Sequence, residues 1–159
     1  MKIKSTTMGI LILVIFTLGI GVTMASGLWV SVNEKNPEKY KTEELAETNN
    51  PADIRGSYTF ADVSDLFEID LQVLYQAFNI PEDTVGTAIK TKDLEVMYED
   101  SALEIGNESV RIFVALYKGL PPVLDGSYLP KEAVALILEN NKNLTQEELD
   151  YLNAHTSPL

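Results

Sequence analysis

The stretch Thr59 to Pro81, TFADVSDLFEIDLQVLYQAFNIP, contains two short helical patterns with the signals that begin and end each helix. Thr59 with Asp62 three residues later is typical of a helix N-terminus, and apolar residues follow at helical spacing. Asp70 predicts the start of a second helix, which ends before Pro81 because proline disfavours the helical conformation in the residue ahead of it. Ile69 lies between the two patterns and is expected to fill their junction. This stretch therefore predicts two consecutive amphipathic helices.

The remainder of the domain has similar start and stop signals. Thr91 and Asn107 are predicted N-caps of two further helices, and Gly119 is the predicted stop of the second. Pro130 is expected at the first position of another helix, and Thr145 begins a last one with a capping box. We therefore predict an all-α fold with one compact domain of five or six short helices. The aromatic side chains expected to build most of the core are Phe67, Tyr75, Phe78, Phe113 and Tyr117.

The domain organisation follows from the changes in composition along the chain. Residues 51–156 form the predicted helical domain, whose length is typical of a single domain. Residues 33–50 are polar, charged and poor in large apolar side chains, which predicts a flexible tether with at most one helical turn. Residues 8–32 are a predicted N-terminal transmembrane helix, and residues 1–7 a cytoplasmic tail.

The predicted anchor, Met8 to Val32, contains 25 residues and no charged side chain. At about 1.5 Å per helical residue it would extend roughly 37 Å, enough to cross a hydrocarbon core of about 30 Å. Lys2 and Lys4 precede it and acids predominate after it, which favours a cytoplasmic N-terminus. We therefore expect a single-pass protein of the cell membrane, bound to lipid through this run, with an extracytoplasmic main domain.

A second interpretation of the same run is a secretory signal peptide. Thr23 and Ala25 are small residues at the −3 and −1 positions of a plausible cleavage site, which would release a chain beginning at Ser26. The run is longer than a usual signal-peptide core, and Trp29 is placed where an aromatic residue would meet the outer headgroups. Both features favour an uncleaved anchor, but the sequence leaves cleavage after Ala25 open.

Composition narrows the possible functions of the exported part. All 24 acids and 10 of the 12 bases lie beyond the apolar run, so this part carries an excess of 14 negative charges. That charge opposes binding to nucleic acid and to anionic headgroups. The chain contains no cysteine, which excludes disulfides, cysteine-ligated iron–sulfur clusters and a thiol nucleophile. We therefore expect no cofactor in this chain and no nucleic-acid partner.

Few side chains are arranged for catalysis. His155 is the only histidine, and its place near the chain end predicts a solvated residue. Asp62 with Asp65, and Glu147 with Asp150, could share helix faces, but acids at helix starts usually complement the helix dipole. We therefore predict no catalytic, cofactor-binding or metal-binding residue.

Three residues near predicted turns are candidates for contact with a partner: Arg55, Tyr58 and Tyr128. Arg55 is a lone base among acids at the entry to the domain. It could form an internal ion pair with one of the aspartates between positions 53 and 65, or meet a carboxylate of a partner. The internal tie is the preferred interpretation.

Three segments carry a resemblance to a known family: NPADIRGSYTFADVSDLFEIDLQVLYQAFNIPEDT, EIGNESVRIFVALYKGLPP and LPKEAVALILENNKNLTQEELDYLNAHT. The clearest mark is the I-R-G-S-x-T-F pattern from Ile54 to Phe60. The chain resembles a family of small single-pass membrane-anchored proteins of anaerobic bacteria and archaea, similar to modules associated with NapH-like membrane 4Fe–4S proteins. The resemblance implies a setting near membrane electron transfer, with any iron–sulfur cluster held by a partner, and supplies no catalytic residues.

The first functional hypothesis is a non-catalytic, membrane-anchored helical interaction module, an accessory subunit or scaffold of a membrane complex. The first alternative is an extracytoplasmic domain that binds a small ligand between its helices. A carboxylate-dependent hydrolase is the least favoured alternative, because it needs a buried acid pair.

Overall fold

The computed structural model describes residues 5–25, 35–81, 84 and 88–158. The chain divides into two units, with the boundary between positions 34 and 35. The second unit contains most of the described residues and carries all the sites discussed below.

The first unit contains helix α1, Ser5–Ala25. Its described side chains, at positions 7–20 and 22, are exposed. Among the described residues, no helix is both long and apolar enough to cross a membrane. Positions 26–32 of the predicted anchor, which include Trp29 and Ser26, lie outside the described residues.

The second unit is mainly helical, which confirms the predicted fold class for this part of the chain. Its described helices are α2 (Phe60–Phe67), α3 (Leu71–Ala77), α4 (Leu94–Met97), α5 (Asn107–Lys118), α6 (Lys131–Asn140) and α7 (Gln146–Ala154). Its 3₁₀ turns are Glu43–Leu45, Pro51–Asp53 and Thr91–Asp93. The sequence gives no sign of the small parallel pair formed by β1 (Leu129–Pro130) and β2 (Thr156–Ser157).

The start of α2 confirms the predicted capping signal. The Thr59 hydroxyl accepts a hydrogen bond from the Asp62 amide at 3.1 Å, and the Asp62 carboxylate accepts one from the Thr59 amide at 2.6 Å. The helix ends at Phe67, and the next residue, Glu68, has a left-handed φ of 52°. Ile69 then packs into the core with 3% exposure. Asp70 accepts a hydrogen bond from the Gln72 amide and caps α3, as predicted.

Two other predicted caps are wrong. Thr91 and Asn107 are buried, and their side chains bond to each other rather than to the first turns of α4 and α5. The Ser109 hydroxyl instead accepts the Gly106 amide at the start of α5. The buried pair has long-range partners, which local spacing does not reveal.

The other predicted boundaries fall close to those observed. Gly119 ends α5 in the left-handed conformation with φ 67°, which glycine adopts without strain. Pro130 immediately precedes α6 instead of occupying its first position. Thr145 and Glu148 form the predicted capping box of α7.

The core is organised around α5. Aromatic rings form a continuous series from α2 to α5, with centroid distances of 5.8 Å between Phe60 and Phe78 and 5.6 Å between Phe78 and Phe113. Tyr117 stacks on Phe113 at 5.3 Å, and Phe60 also meets Tyr75 edge to face. Offset and edge-to-face pairs of this kind add to the stabilisation from burial. The expected core aromatics are therefore confirmed, with Tyr117 only half-buried.

The described part of the predicted flexible tether, residues 35–50, packs on the helical unit. Lys39 pairs with Asn49 in an antiparallel bridge, and the Asn49 amide donates to the Leu66 carbonyl at 2.9 Å. Lys35 forms an ion pair with Asp62 at 2.5 Å. The tether prediction is wrong for these residues, because their polar groups find partners on the folded unit.

Asp62→Asn is expected to make the folded state less sensitive to acid. Burial alone would raise the pKa of Asp62, but hydrogen bonds from Lys35 and Thr59 outweigh it and lower that pKa. The carboxylate therefore contributes stability above its unfolded pKa, and this contribution is lost as the pH falls through the folded pKa. The measurement is the free energy of unfolding of the full chain in detergent at about pH 7 and about pH 3.

Asp65→Asn is the matched control, because Asp65 is exposed on the same helix. The expected cost of Asp62→Asn at neutral pH is about 1 kcal/mol. Equal acid sensitivity of the two variants would contradict a structural role for the Lys35–Asp62 pair.

Candidate functional site

The segment from Ile54 to Phe60 is held by side chains of α5 and of the 3₁₀ turn before α4. The Ile54 carbonyl accepts hydrogen bonds from Asn107 Nδ2 at 3.2 Å and from Arg111 Nε at 2.8 Å. Asn107 Oδ1 in turn accepts from the Thr91 hydroxyl at 2.6 Å. We name these four residues the Ile54 network. Removing the Asn107 side chain would leave the buried Thr91 hydroxyl without one acceptor and the Ile54 carbonyl without one donor, and an unpaired buried polar group costs about 1–3 kcal/mol.

The same segment is also fixed through its backbone. The Tyr58 carbonyl accepts from the Thr91 amide at 2.8 Å, and the Phe60 amide donates to the Ile89 carbonyl at 3.0 Å. A Cβ at Gly56 would lie 3.0 Å from the Lys92 Cβ, so the close approach of these two segments of the chain favours glycine at position 56. The segment is therefore anchored at its start, middle and end.

Arg55 points away from this anchored backbone. Its side chain is 62% exposed, and its guanidinium lies 3.5 Å from the Asp53 carboxylate. The preferred sequence interpretation, an ion pair with a nearby aspartate, is therefore confirmed. Since an exposed pair of this kind contributes little to stability, the guanidinium can exchange Asp53 for another carboxylate at small cost.

The place of Tyr58 after a turn predicts that it lies at the surface, but the structure buries it. Its side chain is 2% exposed, and among the described residues its hydroxyl has no hydrogen-bond partner. Burial raises the pKa of Tyr58, so the phenol is neutral at physiological pH. The anchored backbone turns this ring into the core, which removes it from the surface available to a partner.

Tyr128 belongs to a cluster of three rings that joins the two strands to α7. The His155 ring stacks on Tyr151 with 4.2 Å between centroids and an interplanar angle of 14°, and it tilts against Tyr128 at 5.2 Å. The His155 carbonyl also accepts the Leu129 amide at 2.9 Å. The prediction of a solvated His155 is therefore wrong. Its spacing of four residues from Tyr151 on α7 is the sequence signal that places both rings on one face.

Tyr151 connects this ring cluster to the chain ahead of β1. Its hydroxyl donates to the Ser127 carbonyl at 2.7 Å, and burial raises the pKa of Tyr151 to about 12. The phenol is therefore a permanent donor at neutral pH. Tyr128 is half-buried, so only part of its ring is available for contact.

One acid of each pair that the sequence suggests has a structural partner. Asp62 belongs to the capping box of α2 and to the ion pair with Lys35. Asp150 accepts a hydrogen bond from Gln146 at 2.8 Å, and Glu148 caps α7. Among the described residues, no group of three or more histidine, aspartate or glutamate side chains could hold a metal ion.

A large cleft of the second unit lies between the link that follows α5 and the loop that precedes α7. We name it the proline cleft; its volume is about 880 Å³. Two asparagines that line it already bind the end of α5, because Asn140 donates to the Tyr117 carbonyl and Asn141 to the Leu116 carbonyl. Other lining residues are Pro121, Pro122, Leu124, Asn143, Thr145 and Glu147.

No protein-family model matches the chain, and no curated protein or solved structure matches it significantly. Functional interpretation therefore depends on the geometry of its own residues. That geometry places Arg55 at the surface, Tyr128 at its edge and Tyr58 in the core.

Tyr58→Phe and Tyr151→Phe are expected to have different effects on the free energy of unfolding. The first removes an unpartnered buried hydroxyl and should be neutral or stabilising by up to about 1 kcal/mol. The second removes the donor to the Ser127 carbonyl and should destabilise by about 1 kcal/mol. Chemical denaturation of the two variants measures both effects, and a clear loss of stability in Tyr58→Phe would show that its hydroxyl has a partner.

Proposed function

We propose that this protein is a non-catalytic interaction module, an accessory subunit or scaffold of a membrane complex. Arg55 carries the proposal: an exposed guanidinium projects from a backbone that hydrogen bonds to the Ile54 carbonyl fix in place. Because its surroundings are ordered before binding, little conformational entropy is lost when a carboxylate of a partner replaces Asp53. Arginine is also favoured at the centre of protein interfaces.

The roles of the acids support a binding function over hydrolysis. A general acid needs a carboxyl group whose pKa is raised, whereas the pKa of Asp62 is lowered by Lys35 and Thr59 despite its burial. Asp150 accepts a hydrogen bond from Gln146 on α7. One acid of each predicted pair, Asp62 and Asp150, therefore has a structural partner.

The membrane setting is part of the proposal and rests on the sequence. The uncharged run from Met8 to Val32 is the proposed anchor, with the N-terminus in the cytoplasm and the second unit outside it. The resemblance of the Ile54 to Phe60 segment suggests a membrane iron–sulfur protein as the partner, which would hold any cluster itself.

Arg55→Glu is expected to release the partner from the full-length protein. The test is affinity purification of the tagged chain from membranes of its natural host in mild detergent, followed by quantitative mass spectrometry. Charge reversal at the centre of an interface should reduce recovery of a specific partner by about tenfold or more. Partner recovery is measured relative to the tagged chain.

Lys131→Glu is the matched control, because Lys131 is also 62% exposed and lies near an adjacent acid, Glu132, at 3.8 Å. Its recovery of the partner should equal that of the unmodified chain. Recovery of the unmodified protein as a lone monomer would contradict the proposal. A lone monomer that retains a small molecule would favour the second candidate function, described below.

The proposed anchor has its own test. The full chain should remain in the membrane after extraction with alkaline carbonate, and intact mass should show that the chain still begins at Met1. Protease added outside intact cells or spheroplasts should remove the second unit. A released chain beginning at Ser26 would contradict the anchor and support cleavage after Ala25.

A small-ligand-binding domain remains the second candidate, and the proline cleft is the observation that favours it. Its volume of about 880 Å³ is within the range of ligand sites, and Tyr117 supplies an aromatic wall. The side-chain amides of Asn140 and Asn141 donate to backbone carbonyls. These groups therefore shape the cleft, and their donors are already engaged within the fold. This engagement ranks the ligand function below the interaction module.

A further inference from the structure

A second surface feature lies between α4 and the start of α5. It is a shallow groove of about 290 Å³. Three apolar or aromatic residues line it and are buried or half-buried, namely Tyr98, Leu103 and Ile105. We name it the α4 groove.

The helix beside this groove exposes apolar side chains. Val96 is 69% exposed and Met97 is 44% exposed. Among the described residues of the second unit, this is the one place where two consecutive large apolar side chains are exposed. Exposure of neighbouring apolar residues next to a groove is typical of an interaction surface, and methionine adapts readily to a partner's shape.

The remaining character of the groove is acidic. Glu95, Glu99 and Glu104 line it, and no lysine or arginine is among its lining residues. Among the described residues, none of these three carboxylates is in an ion pair. The groove therefore combines an apolar wall with carboxylates that a partner's cations can pair with.

We propose that the α4 groove, together with the exposed Val96 of the helix beside it, docks a basic, apolar segment of a partner protein, in which leucine-like side chains meet Val96 and lysine or arginine side chains meet the glutamates. This inference rests on the proposed function, because it names the chemical class of partner that an interaction module of this charge selects. Opposite charges across the contact would accelerate association and fix the orientation of the segment.

Two other occupants fit the groove less well. An anionic lipid surface would be repelled by the three glutamates, and nucleic acid would be repelled for the same reason. A second copy of this chain would bring together two strongly acidic domains, because the chain carries a net charge of −12. A basic protein segment is the occupant whose charge complements the surface.

Site-specific photo-cross-linking from position 96 of the full chain in native membranes tests the proposal. A photoreactive phenylalanine derivative replaces Val96, and in a parallel protein it replaces Val123, which is 62% exposed elsewhere on the domain. The expected product at position 96 is a peptide of a partner protein that carries net positive charge and apolar residues. Position 123 should give little of this product.

Charge reversal supplies the second arm of the test. Glu99→Lys with Glu104→Lys should reduce the yield of the position-96 product by about fivefold or more, and so should raising the salt concentration several-fold. Glu139→Lys with Glu43→Lys is the matched control, since both acids are exposed outside the α4 groove and the change in net charge is the same. Its yield should be unchanged. Thermal unfolding of both double variants should show that each is folded.

Several outcomes would overturn the inference. One is a cross-linked product at position 96 that is a lipid, a second copy of this chain, or a neutral or acidic peptide. Another is a yield at position 96 that is no higher than the yield at position 123. If a partner still co-purifies and is lost in Arg55→Glu, the proposed function stands while the α4 groove does not. If no partner is recovered by either method, both fail.

Discussion

The carbonyl of Ile54 is the polar group on which the second unit depends. It is the meeting point of Asn107 and Arg111 from α5, and Asn107 extends the connection to Thr91 ahead of α4. The hydrophobic effect is non-directional, whereas a hydrogen bond fixes a partner, and a buried polar group left unpaired costs about 1–3 kcal/mol. The Ile54 network therefore fixes how α5, the entry segment and the turn before α4 fit together, and the aromatic series from Phe60 to Phe113 packs within that frame.

This constraint connects the fold to the proposed function. The hydrogen bonds that hold Ile54, Tyr58 and Phe60 leave the long side chain of Arg55 directed to solvent. The ordered backbone reduces the entropic cost of engaging a partner, and the weak pair with Asp53 keeps the guanidinium in position until a better acceptor replaces it. The acidic α4 groove would give a partner a second point of contact with the opposite charge preference. A partner that presents a carboxylate to Arg55 and a basic segment to the groove would be held in one orientation.

Local signals predicted much of the fold, and long-range interactions account for the errors. The capping boxes at Thr59 and Thr145, the cap at Asp70 and the stop at Gly119 act within three or four residues, so the sequence alone identifies them. Thr91 and Asn107 have the same residue types, yet they bind each other and Ile54, which is 53 residues away from Asn107. The contact of His155 with Tyr128 and the hydrogen bond of Asn49 with Leu66 also join residues distant in the chain, whereas the stacking of His155 on Tyr151 is local. Of the candidate contact residues, Arg55 and Tyr128 are accessible in whole or part, and Tyr58 is not.

Native-state hydrogen exchange of the full chain tests most directly whether the Arg55 segment is fixed. The amides of Thr91, which donates to Tyr58, and of Phe60, which donates to Ile89, should exchange as slowly as amides in the middle of α5. Exchange at these two positions should require opening of the whole unit, so its rate should follow global stability. Exchange as fast as in an exposed loop, by local opening that leaves α5 protected, would contradict the account.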